Sequence, residues 1–228
     1  MNNSINQYDY ELENHQIECR YHREFVGGLW DTIGIYQLQL LIKYGLKPNM
    51  KLVDIGCGCL RGGIHIIRYL NIGNYFGMDG NESLLKAGYY KELKDVNLQY
   101  KLPIINLLQD KEFMLIRFGV KFNYAVAFSL FSHLTLNHIR VCMARLSDVV
   151  HDGGYLLASY FKCTSDYPWD PLEVVNEKGV ATWGHKDPYH YSLNDLRWCI
   201  NKLPWEIIEL DDADHPRGQA LLLFKRII

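Results

Sequence analysis

Val53-Asp54-Ile55-Gly56-Cys57-Gly58-Cys59-Leu60-Arg61-Gly62-Gly63, with Asp79 closing the next apolar run, decides how this chain reads. An acidic residue sits in a short β-branched run, and a glycine-rich turn follows at once. Glycines there let the backbone approach a ligand more closely than any side chain would allow. A helix starting from the turn aims its N-terminal amides at the same place. The acidic residue at the end of the next strand can accept two hydrogen bonds from a ribose diol. These are the parts of a nucleoside-cofactor site.

Outward from that stretch, strand and helix alternate. A helix is predicted over 29–44, with Leu29, Ile33, Tyr36 and Leu40 on one face, Gly45 at its end and Pro48 beyond. Strands follow at 51–55 and 74–78, helices at 62–70 and 82–93, and a third strand at 104–108 ending at Gln109-Asp110. The apolar run 122–128 reads as a buried central strand. Then come a helix over 137–149, a turn at Gly153-Gly154 and a strand at 155–161. The stretch 162–190 carries Pro168, Pro171, Trp183 and Pro188 with little periodicity, and is predicted to be an inserted loop or lid. Ser192 caps a helix to about Lys202, with Asp195 at the capping-box position. Strands at 205–210 and 220–225 flank 211–219 and pair antiparallel if adjacent. Residues 1–23 are polar and read as a helix or an arm. The organisation predicted is an N-terminal helical cap or arm over 1–50 and an α/β domain over 51–228. Its architecture is a doubly wound, mostly parallel seven-stranded sheet, with one antiparallel strand near the C-terminus and helices on both faces.

The 228 residues suit one α/β domain, and 48% hydrophobic against 22% charged residues supports a large core. A net charge of −2 gives no global basic field for nucleic acid. No apolar run approaches the roughly 20 residues of a membrane span. Residues 1–10 lack the apolar region of a signal peptide, so the expectation is cytoplasmic. Six cysteines without paired CxxC spacing argue against structural zinc. Cys57 and Cys59 read as small residues in a tight turn. The 16 tyrosines and 5 tryptophans are an excess available to line a pocket.

Asp110 has two readings, an adenine amino acceptor and a turn cap. Arg61 has a ligand carboxylate or a surface acid as its partner. Asp211, Asp212 and Asp214 form a hard-oxygen cluster of the kind acidic turns commonly show, and no metal is assigned to it.

In these motifs the chain resembles the class I S-adenosylmethionine-dependent methyltransferases. The resemblance rests on Asp54-x-Gly56-x-Gly58, Asp79, Asp110, Ala127-Phe128-Ser129-Leu130-Phe131 and the two final strands, and covers about residues 51–225. It implies a Rossmann-like sheet and S-adenosyl-L-methionine as cofactor. It implies that Gly56 and Gly58, with Cys57 between them, pass the methionine moiety, that Asp79 holds the ribose, and that Asp110 and the backbone near Ser129 bracket the adenine. The candidate cofactor set is thus Asp54, Gly56, Cys57, Gly58, Arg61, Asp79, Asp110 and Ser129. The third glycine of a dinucleotide fingerprint would fall at Arg61, which weakens a NAD reading. Leu29–Gln37, Arg61-Gly62-Gly63 and Ser132-His133-Leu134 also resemble bacterial methyltransferases of sugar and natural-product pathways.

Methyl transfer to a hydroxyl calls for alignment and a base, and a neutral histidine suits that role. His133, His185, His190 and His215 are the candidates, each beyond a predicted strand end. Segments 162–190 and 211–219 are expected to wall the acceptor. The function expected is methyl transfer to an oxygen or nitrogen of a small molecule, with no nucleic-acid or membrane partner. A NAD-dependent oxidoreductase and a non-catalytic adaptor of the same fold are the rivals.

Overall fold

The computed structural model describes residues 7–163, 172–210 and 214–228. Pro168, Pro171, Asp211 and Asp212 therefore lie outside the described residues. The chain packs as two compact units. One is Tyr8–Met114 with Phe122–Ala125; the other is Gln7 with Leu115–Lys121 and the described residues of Val126–Ile228.

The first unit opens with two short helices, α1 (Asn14–Glu18) and α2 (Tyr21–Phe25), and a longer one, α3 (Trp30–Lys43). Gly45 ends α3 at φ +99, as its sequence position predicts. Strand β1 (Leu52–Ile55) is buried throughout and pairs parallel with β2 (Tyr75–Asp79), Asp54 opposite Gly77. Helix α4 (Gly63–Tyr69) connects them. The helix expected over 82–93 is α5 (Glu82–Lys86) running directly into a π-helix, Ala87–Leu93. The third strand begins later than expected. Residues 104–106 form a 3-10 turn, and β3 is Leu107–Gln109, parallel to β2. The Asn106 side-chain amide donates to the Gly73 and Tyr75 carbonyls at 3.1 and 3.0 Å. A side chain thus occupies those acceptors, and the backbone ladder starts at Leu107. Strand order is β3-β2-β1-β4, where β4 is Phe122–Ala127. Leu52, Val53, Ile55, Ile66 and Ile67 are essentially solvent-free at its centre.

In the second unit Thr135 caps α6 (Leu136–Val149). The expected turn at Gly153-Gly154 is absent. Strand β5 runs unbroken over Val150–Lys162, and Gly153 at φ +76 bends it without ending it. The segment 162–190, expected to lack regular structure, holds a hairpin of β6 (Glu173–Val175) and β7 (Ala181–Trp183). Asn176 Oδ1 accepts the Lys178 and Val180 amides across its turn, each at 3.0 Å. Strand β8 (His190–Tyr191) then pairs parallel with the end of β5. The capping box Ser192/Asp195 forms as its spacing predicts and starts α7 (Leu193–Ile200). Strands β9 (Trp205–Leu210) and β10 (Ala220–Arg226) close the order β5-β10-β9, with β10 antiparallel to both neighbours. The two runs hold the seven strands expected, mostly parallel, with the antiparallel strand near the C-terminus. No helix among the described residues is long and apolar enough to cross a membrane.

Candidate functional site

The glycine turn is set by two backbone bonds. The Gly56 and Cys57 amides both donate to the Met78 carbonyl, at 2.8 and 3.1 Å, so β1 hands the chain across the end of β2. Gly58, at φ +52, then turns its amide onto Asp79 Oδ2 at 2.8 Å. Asp79 Oδ1 accepts the Asn81 amide at 2.8 Å. A carboxylate has about four acceptor positions, so capacity remains beside these bonds for a ribose hydroxyl. Burial pushes the Asp79 carboxyl up, against the pull of the Asn81 and Gly58 amides. Asn81 in turn caps α5, its Oδ1 accepting the Leu84 amide at 3.1 Å.

Helix–strand closeness, the task of a third fingerprint glycine, falls to Gly63. A Cβ there would lie 2.7 Å from Tyr75 Oη and 2.9 Å from a Leu60 methyl. Tyr75 Oη donates to Asp54 Oδ2 at 2.7 Å. Burial drives the Asp54 carboxyl up to about 7, the Tyr75 bond opposes it, and the Asp79 charge adds to it. The Cys57 and Cys59 thiols are buried and pushed above their ordinary range by desolvation, so both are protonated small fillers near neutral pH.

Arg61 Nη1 donates to the Val26 and Gly28 carbonyls at 3.0 and 3.1 Å, which binds the N-terminal segment to the glycine turn. Asp110 follows β3, and its Oδ1 accepts the Glu112 and Met114 amides at 2.8 and 3.1 Å, the geometry of a turn cap. Asp54, Gly56, Cys57, Gly58, Arg61, Asp79 and Asp110 all belong to the first unit.

Ser129 belongs to the second unit, at φ +55. Its amide donates to Ser159 Oγ at 2.7 Å and its carbonyl accepts from Ser132 Oγ at 2.9 Å. Ser129 Oγ and Ser159 Oγ both donate to Gln219 Oε1, at 3.1 and 2.6 Å. The Ser129 main-chain groups are thus engaged within the protein.

The four histidines occupy different settings. His133 Nδ1 is hydrogen-bonded to Asp187 Oδ1, with the carboxylate side chain 7% exposed and the imidazole 14%. The Tyr189 amide donates to the Ser132 carbonyl at 2.7 Å and Tyr191 Oη to the Leu134 carbonyl at 2.6 Å. Part of the inserted segment therefore folds back onto the turn that carries His133. His185 is exposed. His190 is buried in β8, its Nδ1 3.0 Å from Thr182 Oγ1. His215 is buried and its Nδ1 accepts the Arg217 amide at 3.2 Å. Among the described residues no group of three or more His, Cys, Asp or Glu side chains is placed to hold a metal ion.

Sequence reasoning missed Asp187, which lies 54 residues from His133. It also missed Glu92, buried within the π-helix and bonded to His22 and Arg23. Neither is marked by anything local, because their partners are remote in sequence.

Residues 53–156 match the family model described as a methyltransferase domain. Among solved structures, the chain is similar to the magnesium protoporphyrin IX methyltransferase of Synechocystis with bound S-adenosylmethionine. That match has 13% identity and a TM-score of 0.59, and covers 96% of this chain and 86% of that one. An S-adenosylmethionine-dependent methyltransferase of Clostridium acetobutylicum matches with 9% identity and a TM-score of 0.64, covering 95% and 100%. DesVI of Streptomyces venezuelae matches with 16% identity and a TM-score of 0.59, covering 94% and 99%.

Proposed function

We propose that this chain, a member of the class I S-adenosylmethionine-dependent methyltransferases, moves the methyl group to an oxygen or nitrogen of a small molecule while a histidine takes the acceptor's proton. The observation that carries the proton step is the His133–Asp187 pair.

The residues present fit the cofactor. Asp79 keeps acceptor capacity for a ribose, and the Gly56–Gly58 turn carries no side chain larger than that of Cys57 toward a close ligand. When bound, the cofactor supplies an electrophilic methyl on a sulfonium, and the reaction is an in-line displacement. This chain's residues hold and orient. Asp187, accepting from His133 Nδ1–H, selects the neutral tautomer in which Nε2 is unprotonated. His133 Nε2 is then the atom that accepts the acceptor's proton. The described residues of 162–190 and 211–219 wall the acceptor. In support, β5 runs into the first of these segments and β9 into the second, and both strands point the same way because β10 is antiparallel to each. Ligands of such sheets bind beyond the carboxyl ends of their strands. The net charge of −2 and the absence of a basic field favour a small molecule over nucleic acid.

The test is turnover of the full chain with methyl-labelled cofactor against phenols, catechols, sugar nucleotides and amines. His133→Ala is expected to lower turnover by ~10²–10⁴-fold and Asp187→Asn by less, both with parental affinity for S-adenosylhomocysteine. Parental turnover in both variants would remove the histidine base and leave orientation alone as the mechanism.

A further inference from the structure

The N-terminal residues 8–28 are bonded to the ends of three strands of their own unit. Beyond β1, Arg61 holds the Val26 and Gly28 carbonyls. Beyond β2, Asn81 Nδ2 donates to the Tyr8 and Tyr10 carbonyls at 2.9 and 2.8 Å, and the Glu11 carboxylate accepts the Ser83 and Glu82 amides at 2.8 and 3.3 Å. Beyond β3, Lys111 Nζ meets Asp9 Oδ1 at 2.8 Å. Val26 Cγ1 lies 3.6 Å from where a Gly58 Cβ would stand. The segment therefore crosses the carboxyl ends of these strands, directly over the turn and beside Asp79.

Its apolar anchor is a small cluster of its own. Leu12, Ile17, Phe25 and Val26, with Trp30 beyond them, pack on Cys59, Leu84 and Ala87. Beside those bonds, its buried charged anchor is Glu92. Glu92 accepts from His22 Nε2 at 2.7 Å and from Arg23 Nε and Nη2 at 2.8 and 2.6 Å, with Arg20 Nη1 3.7 Å away. Arg23 also lies over the Trp30 ring, 4.5 Å from its centroid. His22 is solvent-free, yet its Nδ1 has no hydrogen-bond partner, so the closed arrangement carries a desolvation penalty that opening relieves. The segment ends at Gly27, Gly28 and Leu29, three successive residues at positive φ (91, 63 and 48). Two adjacent glycines there can absorb a large backbone change.

We propose that residues 8–28 are a strap that retains the cofactor, and that Glu92 is the positioning residue that latches it. The cofactor enters and leaves when His22 and Arg23 release Glu92, and the glycine pair is the hinge. A small separate cluster held by a handful of side-chain hydrogen bonds opens at lower free energy than the sheet beneath it. The proposal rests on the cofactor alone and is independent of the acceptor.

Amide hydrogen exchange of the full chain, with and without S-adenosylhomocysteine, together with the ligand's association and release rates, tests it. The ligand is expected to slow exchange across 8–28 by about tenfold or more while β1 amides stay protected in both states. Glu92→Gln is expected to speed release by about tenfold or more, because the charge is lost from the bonds to His22 and Arg23, with association within about twofold of the parent. A purely structural role would lower stability without this split between release and association. Equal exchange across 8–28 in both states, or parental release from a folded Glu92→Gln variant, would overturn the strap. If Glu92→Gln does not fold, exchange in the parent still decides. Failure of the parent to bind S-adenosylhomocysteine at all overturns the cofactor site and the strap together, whereas failure of the acceptor reading leaves both intact.

Discussion

Replacing Asp79 by alanine separates the ribose from the rest of the cofactor site. In the parent, Asp79 spends one acceptor position on Gly58 and one on Asn81, both at 2.8 Å. The capacity that remains can take one or both hydroxyls of a ribose diol, each in a charge-assisted bond of roughly 1.5–3 kcal/mol. Losing one such bond weakens binding by ~10–10²-fold, and losing both by ~10²–10⁴-fold. The same substitution strips the acceptor from two amides, so the protein itself should lose roughly 1–3 kcal/mol. Those two losses need separate readings. Calorimetric titration with S-adenosylhomocysteine measures the first, and urea denaturation of the ligand-free chain measures the second. A folded Asp79→Ala chain that binds S-adenosylhomocysteine as tightly as the parent would refute the reasoning and place the ribose elsewhere.

Two further outcomes follow from the same turn. Burial holds the Asp54 carboxyl up at about 7, so its protonated form stabilises the fold at low pH, and that stability is lost as pH rises from about 4, where the unfolded group titrates, to about 7. Asp54→Asn keeps an acceptor for Tyr75 Oη and should flatten the stability–pH curve in that window, leaving the variant more stable than the parent above pH 7 by thermal denaturation; an unchanged curve would contradict the buried acid. Gly63→Ala puts a methyl 2.7 Å from Tyr75 Oη, an overpacking that should destabilise by roughly 1–3 kcal/mol in urea, and parental stability would show that α4 can move away from β2 freely.

What the sequence revealed and what it hid divide by distance along the chain. The turn at Gly56–Gly58, the acid at Asp79 and the capping box at Ser192 and Asp195 are each recognisable within a few residues, and the structure forms all of them. Gly153-Gly154 carried an equally local signal and misled, because a glycine at positive φ can bend a strand as well as end it. The start of β3 depended on Asn106 reaching the Gly73 and Tyr75 carbonyls, a contact across more than thirty residues. Asp187 and Glu92 follow the same rule. An acid's role depends on which base folds against it, and no periodicity encodes that.

The π-helix Ala87–Leu93 gives this unit slack in chain length. A π-turn closes five residues apart where an α-turn closes four, so it takes up one residue more than the α-helix would while the turns on either side keep their phase. Deleting one residue ahead of Glu92 would let the segment close as an α-helix and leave Glu92 near the face that meets His22 and Arg23. In a helix without such a turn the same deletion would swing every later side chain by about 100° around the axis. Seen from the gene, one codon lost in this stretch is a smaller event than one codon lost in a regular helix.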